Sequence, residues 1–115
     1  MENIRVYHNP RCGKSRAAIA YLEEKGLQFE VIKYFDQPFS IDSLKELLGK
    51  LDMGAADLLR KNEKFFKENL KGKELTEDQV IGYMLEEPKL IERPIIVCGN
   101  KAVIGRPTEN IDELL

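Results

Sequence analysis

The residues best suited to chemistry are concentrated in Val6-Tyr7-His8-Asn9-Pro10-Arg11-Cys12-Gly13-Lys14-Ser15-Arg16-Ala17-Ala18. A short apolar strand, Ile4 to Tyr7, is broken at Asn9-Pro10, and Cys12 arrives where an alanine-rich helix can begin. A thiol there faces unpaired backbone N–H groups and the positive end of a helix dipole, which favour thiolate over thiol and attract anions. His8, Arg11, Lys14 and Arg16 all lie within four residues of it and are expected to add a positive field that lowers its pKa. Ser15 stands where a dithiol redox protein carries its second cysteine, so Cys12 is a monothiol that needs an outside thiol to turn over. The Ser15 hydroxyl is expected to donate a hydrogen bond to the sulfur across one helical turn. His8, the single histidine, either bonds to backbone at a strand end or supplies positive charge or a hydrogen bond near Cys12, without having to be the general base. Asn9 and Pro10 shape the loop, and Asn9 is placed to turn its amide toward an anion.

The arginines are the second group. Six are present, and two share one context: Arg93-Pro94 at the mouth of a late strand and Arg106-Pro107 at the exit of the next. A residue before proline is pushed toward extended geometry, and in a hairpin turning at Gly99-Asn100 both arginines fall at the same open end. Two guanidiniums converging there can hold a tetrahedral oxyanion bidentately, as lysine cannot; each alone would be an ordinary surface charge. Arg60 cannot be placed by such geometry. Cys98, inside the apolar run Ile95 to Cys98, is expected to be a buried core residue, and the lysines from Lys61 to Lys73, interleaved with Glu63, Glu68 and Glu74, form a solvated face.

The elements that must position these groups follow from periodicity. Lys14 to Lys25 carries an apolar face of Ala17, Ala18, Tyr21 and Leu22 and stops at Gly26, and Gln28 to Tyr34 is β-branched and aromatic. Together with the first strand they make a right-handed β-α-β unit with parallel strands. Ser40 is a candidate N-cap, with Phe39 and Leu44 as a hydrophobic staple, for a helix in which Leu44, Leu47, Leu48 and Leu51 repeat on one face. Gly49 and Gly54 are expected to shorten or bend it, and Ala55 to Phe66 to hold one or two further pieces. Thr76-Glu77-Asp78-Gln79 fits a capping box, stapled by Leu75 and Val80, for a helix that Pro88 ends. After the hairpin of Ile95–Cys98 and Lys101–Ile104, Thr108 is the expected cap of a last helix, Glu109 to Leu115. The order β-α-β, helices, β-β-α predicts an α/β fold: a four-stranded mixed sheet of thioredoxin-like architecture, one domain over residues 1–115 with a helical insertion at about 40–87.

Whole-chain properties narrow the function. At 115 residues there is room for one modest core, and 18 Lys+Arg against 20 Asp+Glu give a net charge of −2, which does not suggest a nucleic-acid binder. No apolar run is long enough to span a bilayer, and Met1 to Arg5 enters a strand pattern at once, so a soluble, cytoplasmic protein without a membrane role is expected. Two cysteines far apart in sequence fit a reducing compartment, and with one histidine no metal site is expected.

Tyr7-His8-Asn9-Pro10-Arg11-Cys12-Gly13-Lys14-Ser15-Arg16 resembles the active-site loop of the glutaredoxin-linked arsenate reductases, the ArsC family with a thioredoxin-like fold. The resemblance continues through Leu59-Arg60-Lys61-Asn62, Leu75 to Gln79, Ile91-Glu92-Arg93-Pro94-Ile95-Ile96-Val97 and Gly105-Arg106-Pro107, in order along essentially the whole chain. It implies that Cys12 attacks arsenic to form a thiol-arsenate adduct, that Arg60, Arg93 and Arg106 bind the oxyanion, that His8 and Ser15 support the thiolate, and that Pro94 is cis. It also implies no bound cofactor, glutathione as co-substrate, glutaredoxin as the protein partner, and a monomer acting on arsenate or a similar oxyanion. The loop departs from familiar members at Lys14, where threonine is common, and at Ala17-Ala18, where more polar residues are common. Relatives also include glutathione-dependent monothiol oxidoreductases and Spx-like redox regulators that bind RNA polymerase. Many of the latter carry Cys-x-x-Cys, whereas this chain has Ser15 and keeps the arginines.

Overall fold

The structure, a computed structural model, describes residues 3–115, so that of the predicted first strand's approach Met1 and Glu2 lie outside the described residues. The sheet is mixed and four-stranded, in the order β2-β1-β3-β4. Strand β1 (Ile4–His8) runs parallel to β2 (Glu30–Lys33) and antiparallel to β3 (Ile95–Cys98), which turns into β4 (Lys101–Ile104). The hairpin has the bounds its sequence predicts. Gly99 takes φ 62°, the left-handed conformation required at the first central position of a II′ turn.

Helix α1 (Gly13–Glu24) crosses between β1 and β2 and buries Ala18 and Leu22. It ends where predicted: Gly26 has φ 71°, its N–H donates to the Glu23 carbonyl and that of Leu27 to the Leu22 carbonyl, the double bond of a Schellman stop. Ile4, Val6, Ala18, Leu22, Ile96 and Ile111 close the core between this helix and the sheet. Cys98 is corrected here. It is only half-buried, packed at the margin of that cluster, because it closes β3 just before the turn. The last element is also different: residues Thr108–Leu114 form a 3₁₀ helix in which Pro107 holds the N-cap position and Thr108 is the first residue.

The described residues divide into two compact units, one of residues 3–37 with Arg93–Leu115 and one of Pro38–Glu92. The second is the predicted helical block. Ser40 and Ser43 form a reciprocal capping box at the start of α2 (Ile41–Leu51), which buries Leu44, Leu47, Leu48 and Leu51 as one stripe. Gly49 does not interrupt it. A helical glycine costs about 1 kcal/mol relative to alanine, and the leucine stripe outweighs that until Asp52 ends the helix at φ 56°. Gly54 instead precedes the single turn α3 (Ala55–Leu58), whose Ala55 N–H donates to a Glu77 carboxylate oxygen at 2.8 Å. A π-helical turn (Phe66–Leu70) follows, then α4 (Glu77–Glu86) behind the Thr76/Gln79 capping box, and Pro88 opens a 3₁₀ turn (Pro88–Leu90). No helix among the described residues is long and apolar enough to cross a membrane.

Candidate active site

The pairing of the strands determines which side chains meet. Tyr7 is opposite Ile95 across β1 and β3, so the Arg93-Pro94 dipeptide lies just past the end of β1, where the Cys12 loop departs. Ile95 is opposite Ile104, and the Gly105 N–H donates to the Pro94 carbonyl at 2.9 Å, which sets Arg106 level with Arg93. A Cβ on Gly105 would lie 2.6 Å from Ile96 Cδ1 and 3.3 Å from Pro94 Cγ, so a larger residue there would have to displace the end of the buried Ile96 side chain. The Arg93-Pro94 peptide is cis, as expected from the fold, and so is Arg106-Pro107, which was not expected. Asn110 then brackets Arg106: its Nδ2 donates to the carbonyls of Ile104 at 3.1 Å and Arg106 at 3.2 Å. Sequence reasoning missed Asn110, although a side-chain amide six residues past the end of β4 and four past Arg106 is a recognisable local-bonding position.

Cys12 is the N-cap residue of α1, in extended backbone, with its N–H donating to the Asn9 carbonyl at 2.9 Å. Asn9 Oδ1 accepts from the Arg11 N–H at 3.0 Å and the Asn9 N–H donates to Ser15 Oγ at 3.3 Å. Asn9 therefore spends its oxygen on folding the loop. The Ser15 hydroxyl accepts the Asn9 N–H, and the Ser15 N–H bonds to the sulfur, a contribution the sequence reading did not assign to Ser15. Arg16 likewise folds the loop, donating to the Pro10 carbonyl at 2.8 Å.

Burial raises the Cys12 pKa, but it is outweighed by hydrogen bonding from the Ser15 N–H, from the Arg93 side chain and from the Lys14 N–H, together with the Arg93 charge, and the thiol falls to about 7. The neighbouring cations credited from sequence are thus not its principal partners. The guanidinium that matters is more than eighty residues away in sequence and reaches Cys12 through the β1–β3 pairing.

Buried polar residues among those described are His8, Asn9, Ser15 and Arg93, and all of them belong to this region. A fold that is otherwise apolar inside and gathers its buried polar groups around one thiol has a site there. His8 needs a correction. Burial, then the Lys33 and Arg16 charges, lower its pKa, which disfavours the charged imidazolium among the two roles open to it near Cys12 and leaves the hydrogen bond. Its Nδ1 is buried and has no hydrogen-bond partner among the described residues.

Arg60 belongs to the other unit and follows α3. Its backbone is held by a short ladder, with Leu59 bridged to Ile91, the Arg60 N–H donating to the Leu90 carbonyl at 2.7 Å and the Glu92 N–H to the Leu58 carbonyl at 2.9 Å. Its guanidinium pairs with Glu63 at 3.5 Å. Glu63 was grouped from sequence with the solvated face, and the i, i+3 spacing is the signal that could have paired it with Arg60.

The model of the ArsC family matches residues 7–114. The chain is 41% identical to the arsenate reductase of Neisseria meningitidis serogroup A, covering the whole of both chains. It is also 42% identical to the Escherichia coli protein called uncharacterized protein YfgD, over 99% of this chain and 98% of that one. Among solved structures, an arsenate reductase from Vibrio cholerae superposes with a TM-score of 0.93 at 41% identity, covering 99% of this chain and 98% of the other.

Proposed function

Because the chain belongs to the ArsC family, we propose that it is an oxidoreductase that reduces arsenate to arsenite, with Cys12 as nucleophile and glutathione and glutaredoxin as electron donors. The observation that supports this most is the Cys12 thiol itself, lowered to about 7 by two backbone N–H groups and Arg93, so that a substantial fraction is thiolate at neutral pH. Arg93 has a double use in this reading: it stabilises the thiolate before reaction and, with Arg106 and Arg60, neutralises the oxyanion that the thiolate attacks.

The reaction proceeds in balanced steps. The Cys12 thiolate bonds to the arsenic of arsenate and one oxygen leaves as water, the arsenic remaining pentavalent. A glutathione thiol replaces a second oxygen, again lost as water. A glutaredoxin thiol then attacks the glutathione sulfur; the bond from that sulfur to arsenic breaks, its electron pair stays on arsenic, and the glutaredoxin–glutathione mixed disulfide carries away the two oxidising equivalents. Water cleaves the remaining bond to Cys12 and releases arsenite. Ser15 makes an internal disulfide at this position impossible, which is why the reductant comes from outside.

The test is arsenite formation with glutathione and glutaredoxin. Turnover is expected, rising with pH through about 7 as the thiol ionises, and Cys12→Ser is expected to abolish it. Absence of arsenite with glutaredoxin and with thioredoxin alike would reject the proposal.

A further inference from the structure

The Arg60–Glu63 pair differs from the other ion pairs of the second unit. Its side chains are only 18% and 21% exposed, whereas those of Lys64–Glu68, one turn further on, are 83% and 59% exposed. A pair in water contributes almost nothing, but one covered to this degree is weakly screened and its charges act on each other and on any third charge nearby. The geometry is also fixed from the main chain. Arg60 is pinned through its N–H to Leu90, and the Glu63 N–H donates to the Arg60 carbonyl at 3.2 Å, so the two backbones that carry the pair are held close together. Finally, the guanidinium is not saturated. Glu63 engages Nη1, while Nε is buried and has no hydrogen-bond partner among the described residues, leaving a donor for a second acceptor.

From this arrangement we infer that Glu63 is a built-in counter-ion that shares Arg60 with the oxyanion substrate, holding the guanidinium in place and at the same time weakening its grip on the anion. The inference rests on the reading that Arg60 binds oxyanion. Glu63 is then a positioning residue that sets affinity: an incoming anion meets a cation already partly neutralised. This arrangement keeps the site from being filled by any oxyanion that binds through charge alone.

The experiment is a double-mutant cycle over Arg60→Gln and Glu63→Gln in the full chain, reading the dissociation constant of inorganic phosphate by calorimetry and the KM for arsenate. Glu63→Gln, which keeps the shape and a hydrogen-bond acceptor, is expected to tighten phosphate and lower the KM by roughly threefold to tenfold, with kcat little changed. Structural damage does not increase affinity, so the direction of the change is itself diagnostic. In the Arg60→Gln background the same substitution is expected to do nothing. Unchanged or weaker binding in Glu63→Gln, while Arg60→Gln alone is impaired, overturns the role of Glu63 and leaves Arg60 as an oxyanion ligand. An Arg60→Gln variant that binds phosphate and turns over arsenate normally overturns the reading of Arg60 and with it the inference. Glu63→Ala serves as the second variant: a gain in affinity smaller than that of Glu63→Gln agrees with a lost holding contact, and a gain persisting without Arg60 contradicts the pairing.

Discussion

The two ends of helix α1 illustrate how differently similar contacts can matter. At the C-terminal end, Tyr21 donates a 2.7 Å hydrogen bond to Asp112, Lys25 lies 3.4 Å from the same carboxylate, and the Lys25 ammonium stands 4.8 Å from the centre of the Tyr21 ring. Three kinds of interaction coincide there, yet every group is open to water. The Asp112 pKa falls, chiefly by the Tyr21 hydrogen bond, and the Lys25 pKa rises, chiefly by the Asp112 charge, but solvent screens the energetic consequence. At the N-terminal end a thiol meets backbone N–H groups and the side chain of Arg93, a residue that is 7% exposed. Burial, more than the number of contacts, decides which end does chemistry.

Substitutions of the groups that meet the two ends of this helix test the contrast. Arg93→Gln is expected to have the largest effect: with its hydrogen bond and charge gone, the Cys12 pKa rises from about 7 by about one unit or more, read as a displaced midpoint in the pH dependence of thiol alkylation. The sign is plain, since removing a cation disfavours the thiolate, and reactivity at pH 7 falls while that above pH 9 is retained. Ser15→Ala is expected to come next. It strips the acceptor from the Asn9 N–H in a fully buried position and is expected to destabilise the fold by about 1–3 kcal/mol in denaturant unfolding, while the alkylation midpoint stays near 7 because the Ser15 N–H remains. A midpoint that moved up with Ser15→Ala would restore the hydroxyl as the thiolate's donor and weaken the contrast. Asp112→Asn is expected to be the smallest: the melting temperature and the thiol midpoint both stay within measurement error of the parent protein, and a clear loss of either would mean that the exposed end matters more than its burial implies.

The same distinction governs what was legible in advance. Local signals predicted well: the hairpin at Gly99, the Schellman stop at Gly26, and the capping boxes at Ser40 and Thr76 all depend on neighbours within six residues. The site was legible as a cysteine at a helix start and a set of arginines, but its inner wiring was not. Nothing near Cys12 in sequence says that Arg93 will be its charged partner, because that follows from the antiparallel pairing of β1 with β3. Charge was one of the roles left open for His8, and the burial that lowers its pKa could not be read from its neighbours in sequence. Gly49 failed as a helix breaker for the same reason, since the packing of the leucine stripe outweighs local propensity.

Gly105 has a consequence of another kind. A Cβ there would press on the buried Ile96 side chain and on Pro94, so the spacing between the backbones bearing Arg93 and Arg106 is coupled to the packing beneath it. A lineage or an engineer seeking to accept a larger or smaller anion at these two positions reaches that end most directly through side-chain length, for example arginine to lysine, which leaves this packing untouched.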